Sequence, residues 1–277
     1  MSFTTAPKGS GSNRTLPDLR PRKLSTVRTV LALCMREMQT TYGRSPGGYI
    51  WAVLEPVLAL ALFTLVISIG LRIREPAIGT NFPLFFATGF LSMYFFTSLN
   101  NKIARSLKFS NSLLNYPAVR WTDTIISRFI VNGTTYVMVF IIIMYGIITI
   151  FDLGIILDWG AISIGLALTF ALGLSMGILN CFLREMFPIW DSFWSILTRP
   201  LILVSPVFYS YHDTPADWRW FYTYNPLVHT IGYIRKGFYP TYDASHVSWT
   251  YIVSLSLITG ALGLIFLKRY HRDILNL

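Results

Sequence analysis

Charge is scarce in this sequence: Asp, Glu, Lys and Arg make up 13% of its 277 residues, about half the share of a water-soluble domain. The apolar fraction of 53% and a mean hydropathy of +0.51 are more than a chain of this length can bury in one core. A soluble globule and a disordered chain are both excluded. Cysteine is scarce too; Cys34 and Cys181 lie in apolar surroundings and provide no disulfide framework. Metal and nucleotide chemistry are missing. His212, His229, His246 and His271 are scattered, without zinc spacing. None of the six lysines follows Gly and precedes Ser or Thr, so no phosphate-binding loop of that type exists. No serine nucleophile, catalytic residue, metal or cofactor is expected in this chain. Work against a gradient would need energy supplied from elsewhere.

What the chain does have is long apolar runs. About 20 residues at 1.5 Å each cross a hydrocarbon core, and six runs qualify: Tyr49–Leu71, Phe82–Leu99, Thr124–Phe151, Gly160–Leu183, Phe187–Tyr209 and Trp249–Leu267. The predicted fold class is an all-α integral membrane protein with six transmembrane helices. Residues 1–24 are polar, rich in Pro, Gly and Ser, without an apolar run, and read as a flexible cytoplasmic tail rather than a signal peptide. With the N-terminus inside, the inner segments hold 16 Lys and Arg against 5 outside. The positive-inside rule therefore puts both termini, including residues 273–277, in the cytoplasm. The net charge of +10 is thus an orientation signal, and no nucleic-acid partner is expected. Trp51, Trp121, Trp159, Trp190 and Trp249 stand at predicted helix starts, where indoles favour the bilayer interface.

Three segments do not simply span. Val27, Val30, Leu31, Cys34, Met35, Met38 and Tyr42 recur at helical spacing, while Arg28, Arg36, Glu37 and Gln39 take other faces. This predicts an amphipathic interface helix over 25–42, followed by a Gly/Pro corner at 42–48. Segment 100–123 is long for a connection. Ile103, Leu107 and Leu114 form one face, Lys102, Arg105 and Lys108 another, and Pro117 ends the run. It reads as a cytoplasmic docking helix. Segment 210–248 is too aromatic for a wet loop, with Trp218, Trp220, Phe221, Tyr222 and Tyr224, and too polar to span. A pair of amphipathic or re-entrant helices broken at Asn225-Pro226 fits it. Gly173-x-x-x-Gly177 marks a close helix contact.

Glu55, Arg128 and Arg199 fall within predicted spans, where an unpaired charge costs about 3 kcal/mol or more. Arg128 lies near its helix end and is expected to snorkel. Glu55 and Arg199 lie at similar depths, each followed by a proline, and are expected to pair between spans one and five.

The run Tyr49-Ile50-Trp51-Ala52-Val53-Leu54-Glu55-Pro56, preceded by Arg36-Glu37 and Tyr42-Gly43, resembles the opening of inner-membrane permeases of bacterial ABC transporters that export capsular polysaccharide. Leu113-Leu114-Asn115-Tyr116-Pro117 with Asp123 to Arg128 is similar to their first cytoplasmic loop and third span. Asn225-Pro226-Leu227-Val228-His229 with Arg235 resembles the motif before their last span, and the likeness runs from about Ser25 to Arg272. One departure stands out: many relatives carry Glu three residues after that histidine, where this chain has Gly232.

The resemblance implies one permease domain over 25–272, a homodimer, and two separate ATPase subunits that bind ATP and Mg. It further implies a periplasmic adaptor, an outer-membrane export protein and a lipid-linked acidic polysaccharide as cargo. ATPase docking falls to Ser106, Leu107, Ser110, Leu113, Leu114, Asn115 and Tyr116. Rings stack on sugar faces and cations pair with acidic groups, so the path candidates are Trp51, Glu55, Trp190, Trp194, Arg199, Tyr209, Trp218, Arg219, Arg235 and Lys236. The competing readings are the same architecture exporting O-antigen, teichoic acid or a small hydrophobic compound, a membrane enzyme acting on lipid-linked sugars, and an ATP-independent channel.

Overall fold

The computed structural model describes residues 25–42, 47–67, 76–114 and 119–275, and among them the chain is all-helical. In order the elements are α1 (Ser25–Tyr42), α2 (Ile50–Leu65), α3 (Phe82–Ala104), α4 (Ser106–Leu114), α5 (Trp121–Ile150) and α6 (Trp159–Met186). There follow α7 (Trp190–Thr198), α8 (Leu201–Val204), a 3-10 turn at Tyr211–Asp213, α9 (Ala216–Thr223), α10 (Pro226–Phe238) and α11 (Trp249–Leu275). Four helical stretches are long and apolar enough to cross a membrane: Phe82–Leu114, Trp121–Ile150, Trp159–Met186 and Trp249–His271; Ile50–Leu65 is apolar but shorter.

Starts and stops follow from side chains that satisfy orphan backbone donors. Asn81 Oδ1 accepts from the Leu84 amide at 3.0 Å, Asp158 Oδ1 from Ala161 at 3.1 Å, and Asn225 Oδ1 from Leu227 at 3.0 Å, with Pro226 at the first helical position.

Helix α6 is the hub, packed by α3, α11 and α10. Its glycines make the closeness possible. A Cβ on Gly177 would stand 2.6 Å from Ile103 Cβ of α3, and one on Gly165 would stand 2.6 Å from Ile234 Cγ1 of α10. The α11 glycine Gly263 presses as closely on the α6 backbone, 2.7 Å from the Leu179 nitrogen. The letters Gly173-Leu174-Ser175-Met176-Gly177 also match the G-x-S-x-G pattern. The stretch lies in mid-helix with Ser175 buried and bonded to the Leu172 carbonyl, not on a strand-to-helix elbow.

The bundle has two chemically distinct ends. One, the basic end, gathers α1, the close of α3 with α4, the start of α5, and the last turns of α6 and α11, where Trp121 and His271 lie 6.2 Å apart. The other, the aromatic end, gathers the starts of α3, α6 and α11 with α9 and α10; the Asp158 amide there donates to the Gly237 carbonyl at 2.9 Å. Helix α10 is buried against α3 and α6, not lying on a surface.

Four expectations change. The stretch 187–209 is not one continuous helix: Pro200, which has no amide hydrogen, separates α7 from α8, and the chain extends at Ser205 before Pro206. Neither short helix has a buried residue. The expected apolar stripe of α1 divides. Leu33 and Cys34 are buried, whereas Val27, Leu31, Met35 and Met38 are exposed, as suits a helix with one face on the protein and another on lipid. Glu37, assigned to a polar face, is among the most buried residues of α1. The reason is Arg128, which does not snorkel: its Nε lies 3.2 Å from Glu37 Oε1, and both side chains are nearly inaccessible.

Candidate functional site

At the basic end, α2, α3, α4 and α5 enclose an open groove of about 750 Å³. Its charges are unequal. Lys102, Arg105, Lys108 and Arg128 line it with Glu55 as the single carboxylate, and Trp51, Tyr94, Phe109 and Tyr136 supply rings. Helical spacing produces this. Tyr94, Asn101 and Lys102 fall on the face of α3 toward α2, Arg105 follows at its C-terminal cap, and Lys108 continues the face one turn into α4. Clustered cations in a partly desolvated cleft focus positive potential and attract a polyanion.

Arg105 also borders two smaller grooves, one with Arg184, Glu185 and Asp191, the other with Ser192, Ser195 and Arg199. Asp191 holds this junction, 3.2 Å from Arg184 and 3.7 Å from Arg105. Beside it an amide relay ties three helices: Asn180 Nδ2 donates to Asn100 Oδ1 and Trp190 Nε1 donates to Asn180 Oδ1, each at 2.9 Å. Nothing in the helical period announces that relay. The signal available was Asn180 within an apolar run and Asn100 at the close of another, where an amide needs a partner.

The path candidates therefore separate. Trp51 and Glu55 share the large groove. Trp190 and Trp194 stack with centroids 6.4 Å apart, and the Trp194 indole N–H has no hydrogen-bond partner among the described residues. Arg199 borders a different groove, and it makes no ion pair with Glu55 within the chain: α2 packs on α3 and α5, α7 on α6 and α8. Ser106, Leu107 and Ser110 are buried, Ser106 Oγ lying 3.7 Å from Cys181 Sγ of α6, while Leu113 and Leu114 are half-buried. Asn115 and Tyr116 lie outside the described residues.

The remaining candidates lie at the aromatic end. Trp218 is exposed, Lys236 is exposed, and Arg219 is committed to the carbonyls of Thr214 and His212 at 3.1 and 2.9 Å. Arg235 is fully buried and faces none of these grooves. It donates to the carbonyls of Tyr209 and Val207 at 2.9 and 3.3 Å, and stacks 4.1 Å above Phe85. No carboxylate pairs with it among the described residues. Tyr209 is thereby fixed through its carbonyl, and its hydroxyl donates to Val204 at 2.9 Å. His229 joins two loops: the Ser248 amide donates to Nδ1 at 3.1 Å, so Nε2 carries the proton given to the Thr223 carbonyl at 2.8 Å. At Gly232, where the resemblance led to an expected Glu, a Cβ would meet Val247 Cγ2 at 2.5 Å. Sequence reading also missed an aromatic ladder on α3, Phe82–Phe86–Phe90–Tyr94, with successive centroids 5.4 to 6.2 Å apart, although its i, i+4 spacing was visible.

His246 stacks on Tyr211 at 3.9 Å and meets the Tyr242 hydroxyl at 3.3 Å. Burial, reinforced by the neighbouring His212 and His229, pulls its imidazole down to about 4. An unfolded histidine titrates near about 6.5, so this contribution is complete above about 6.5 and is lost as the pH falls toward 4. Amide exchange across 239–247, corrected for intrinsic rate, is expected to accelerate over that window in the native chain and to accelerate clearly less in His246→Phe, which keeps the stacking on Tyr211.

Residues 28–239 match the profile of a family described as ABC-2 type transporter. The polysialic acid transport protein KpsM of Escherichia coli is 30% identical, over 85% of this chain and 91% of its own. The capsule polysaccharide export inner-membrane protein BexB of Haemophilus influenzae is 26% identical, over 89% and 92%. The O-antigen export system permease protein RfbA of Klebsiella pneumoniae is 22% identical, over 87% and 92%.

Proposed function

The chain belongs to the ABC-2 type transporter family, and from that premise we propose that it is the permease subunit of an ATP-driven exporter of lipid-linked acidic capsular polysaccharide. Its setting is the bacterial inner membrane. The observation that carries the cargo assignment is the groove at the basic end, lined by Lys102, Arg105 and Lys108, by Arg128 whose charge Glu37 already matches, and by several rings, with Glu55 as the one carboxylate in the lining. A wet groove rich in cations and rings suits an acidic polymer, because each contact is weak enough to release as the chain advances. The relatives named for polysialic acid and capsule polysaccharide support the same reading.

In this reading the basic end is cytoplasmic and so are both termini, and α2 with the broken α7–α8 segment completes six crossings. Helices α7 and α8, none of whose residues is fully buried within the chain, meet a second copy of the permease. Two separate ATPase subunits bind ATP and Mg and dock on α4 and the following loop. A periplasmic adaptor and an outer-membrane export protein continue the route from the aromatic end. Trp51, Glu55, Trp190, Trp194 and Arg199 lie beside the path, with Tyr209, Trp218, Arg219 and Lys236 toward its exit. Arg235 serves it by fixing the Val207–Tyr209 turn.

The test is purification of the native complex. A subunit with a phosphate-binding loop is expected to accompany the chain and to hydrolyse ATP faster with it than without it. Recovery of the folded chain with no such subunit, or with one whose turnover ignores it, contradicts the proposal.

A further inference from the structure

One guanidinium at the basic end meets three other elements of the bundle. Arg128 of α5 faces Glu37 of α1, its Nε 3.2 and 3.3 Å from the two carboxylate oxygens. Its Nη1 donates to the Lys102 carbonyl at 2.7 Å, in the last turn of α3, where helix carbonyls lose their intrahelical donors. Its plane lies 4.1 Å from the centroid of Phe109 on α4, and Arg36 of α1 approaches the same ring at 5.2 Å. The side chain is nearly inaccessible, yet one edge of it borders the large groove.

We propose that Arg128 is a positioning residue that locks α1, the α3–α4 junction and α4 into one rigid body, so that displacement of α4 by the ATPase is passed to α1 and to the groove wall. The assignment rests on the transporter reading above. Three directional contacts made by one planar fork fix orientation as well as distance, and a point charge on a flexible stem cannot do both. The Glu37–Arg128 pair is costly to bury unless both partners stay matched. That cost makes separation of α1 from α5 unfavourable throughout the cycle. Glu37 is not among the residues that line the groove, so cargo contact does not explain its burial.

The test uses the full permease–ATPase complex in proteoliposomes, reading polymer moved per ATP hydrolysed. Glu37→Gln keeps the shape and loses the charge; Arg128→Lys keeps the charge and loses the fork. Each is expected to lower the transport-to-hydrolysis ratio about fivefold or more. Spin labels at Met35 of α1 and Ser112 of α4, both exposed, are expected to keep a single distance across nucleotide states in the native chain and to show a broadened one in Arg128→Lys. An unchanged ratio in Glu37→Gln, or a native α1–α4 distance that shifts with nucleotide, overturns the proposal. Should Arg128→Lys fail to assemble, Glu37→Gln decides alone. A native complex that hydrolyses ATP without moving polymer instead removes the transporter reading itself.

Discussion

Gly177→Leu is expected to leave almost no folded permease after detergent extraction, and Gly263→Leu to do the same, whereas Gly146→Ala is expected to be indistinguishable from the native chain. The physical reason is where a side chain would go. A Cβ on Gly177 meets Ile103 Cβ at 2.6 Å, Ile103 Cγ2 at 2.9 Å and the Asn100 carbonyl at 3.2 Å. On Gly263 it meets the Leu179 nitrogen and Cα at 2.7 and 2.9 Å. Backbone cannot rotate away as a side-chain tip can. Relief therefore requires α3 or α11 to move off α6, at a cost of about 3 kcal/mol or more where whole helices shift. Helix contacts in a bilayer depend on such close approach, because lipid gives no hydrophobic drive to bring helices together. Gly146 has no heavy atom within 4 Å of its added Cβ. The fraction of monodisperse protein after graded heating is the measurement, and equal survival of the Gly177 and Gly146 variants would show that the hub packing is misassigned.

The second large effect concerns charge. Arg105→Glu together with Lys108→Glu is expected to cut export of an acidic polymer by about tenfold or more at low salt, with a smaller loss at high salt where the native attraction is itself screened. Both side chains are exposed, and Arg105 has only the long 3.7 Å contact with Asp191, so the fold is expected to survive. Arg105 stands where three grooves adjoin, which is why one position carries so much of the effect. A neutral polymer offered to the same complex is expected to be far less sensitive. Equal losses for both polymers would show that the substitutions damage the permease rather than its attraction for acidic groups.

Most of the helices were legible because apolar length is a local property. The runs at 82–99, 160–183 and 249–267 each fall within a helix of the structure, the run at 124–151 does so up to Ile150, and Asn225-Pro226 marks the break before α10 as expected. The ends of α3, α6 and α11 extend further than the apolar runs, since amphipathic turns continue a helix beyond its lipid-facing part. The site was only half legible. Trp51 and Glu55, four residues apart, share one face of a helix by period alone. The cations that join them come from α3, α4 and α5 and depend on how helices pack, which period cannot give. Glu37 was misread for the same reason: its environment is decided by Arg128, 91 positions away. Gly232 shows the reverse limit, since the letter flagged a departure but only packing revealed Val247 beside it.

The central claim is that this chain forms a route through the membrane and takes its energy from a separate subunit. Proteoliposomes holding the chain with its ATPase, supplied with acidic polysaccharide on the face of the basic end, measure it directly. Polymer is expected to accumulate inside only when ATP and both subunits are present. Accumulation driven by the chain alone, or its absence from a complex that is folded, assembled and hydrolysing ATP, would contradict the claim.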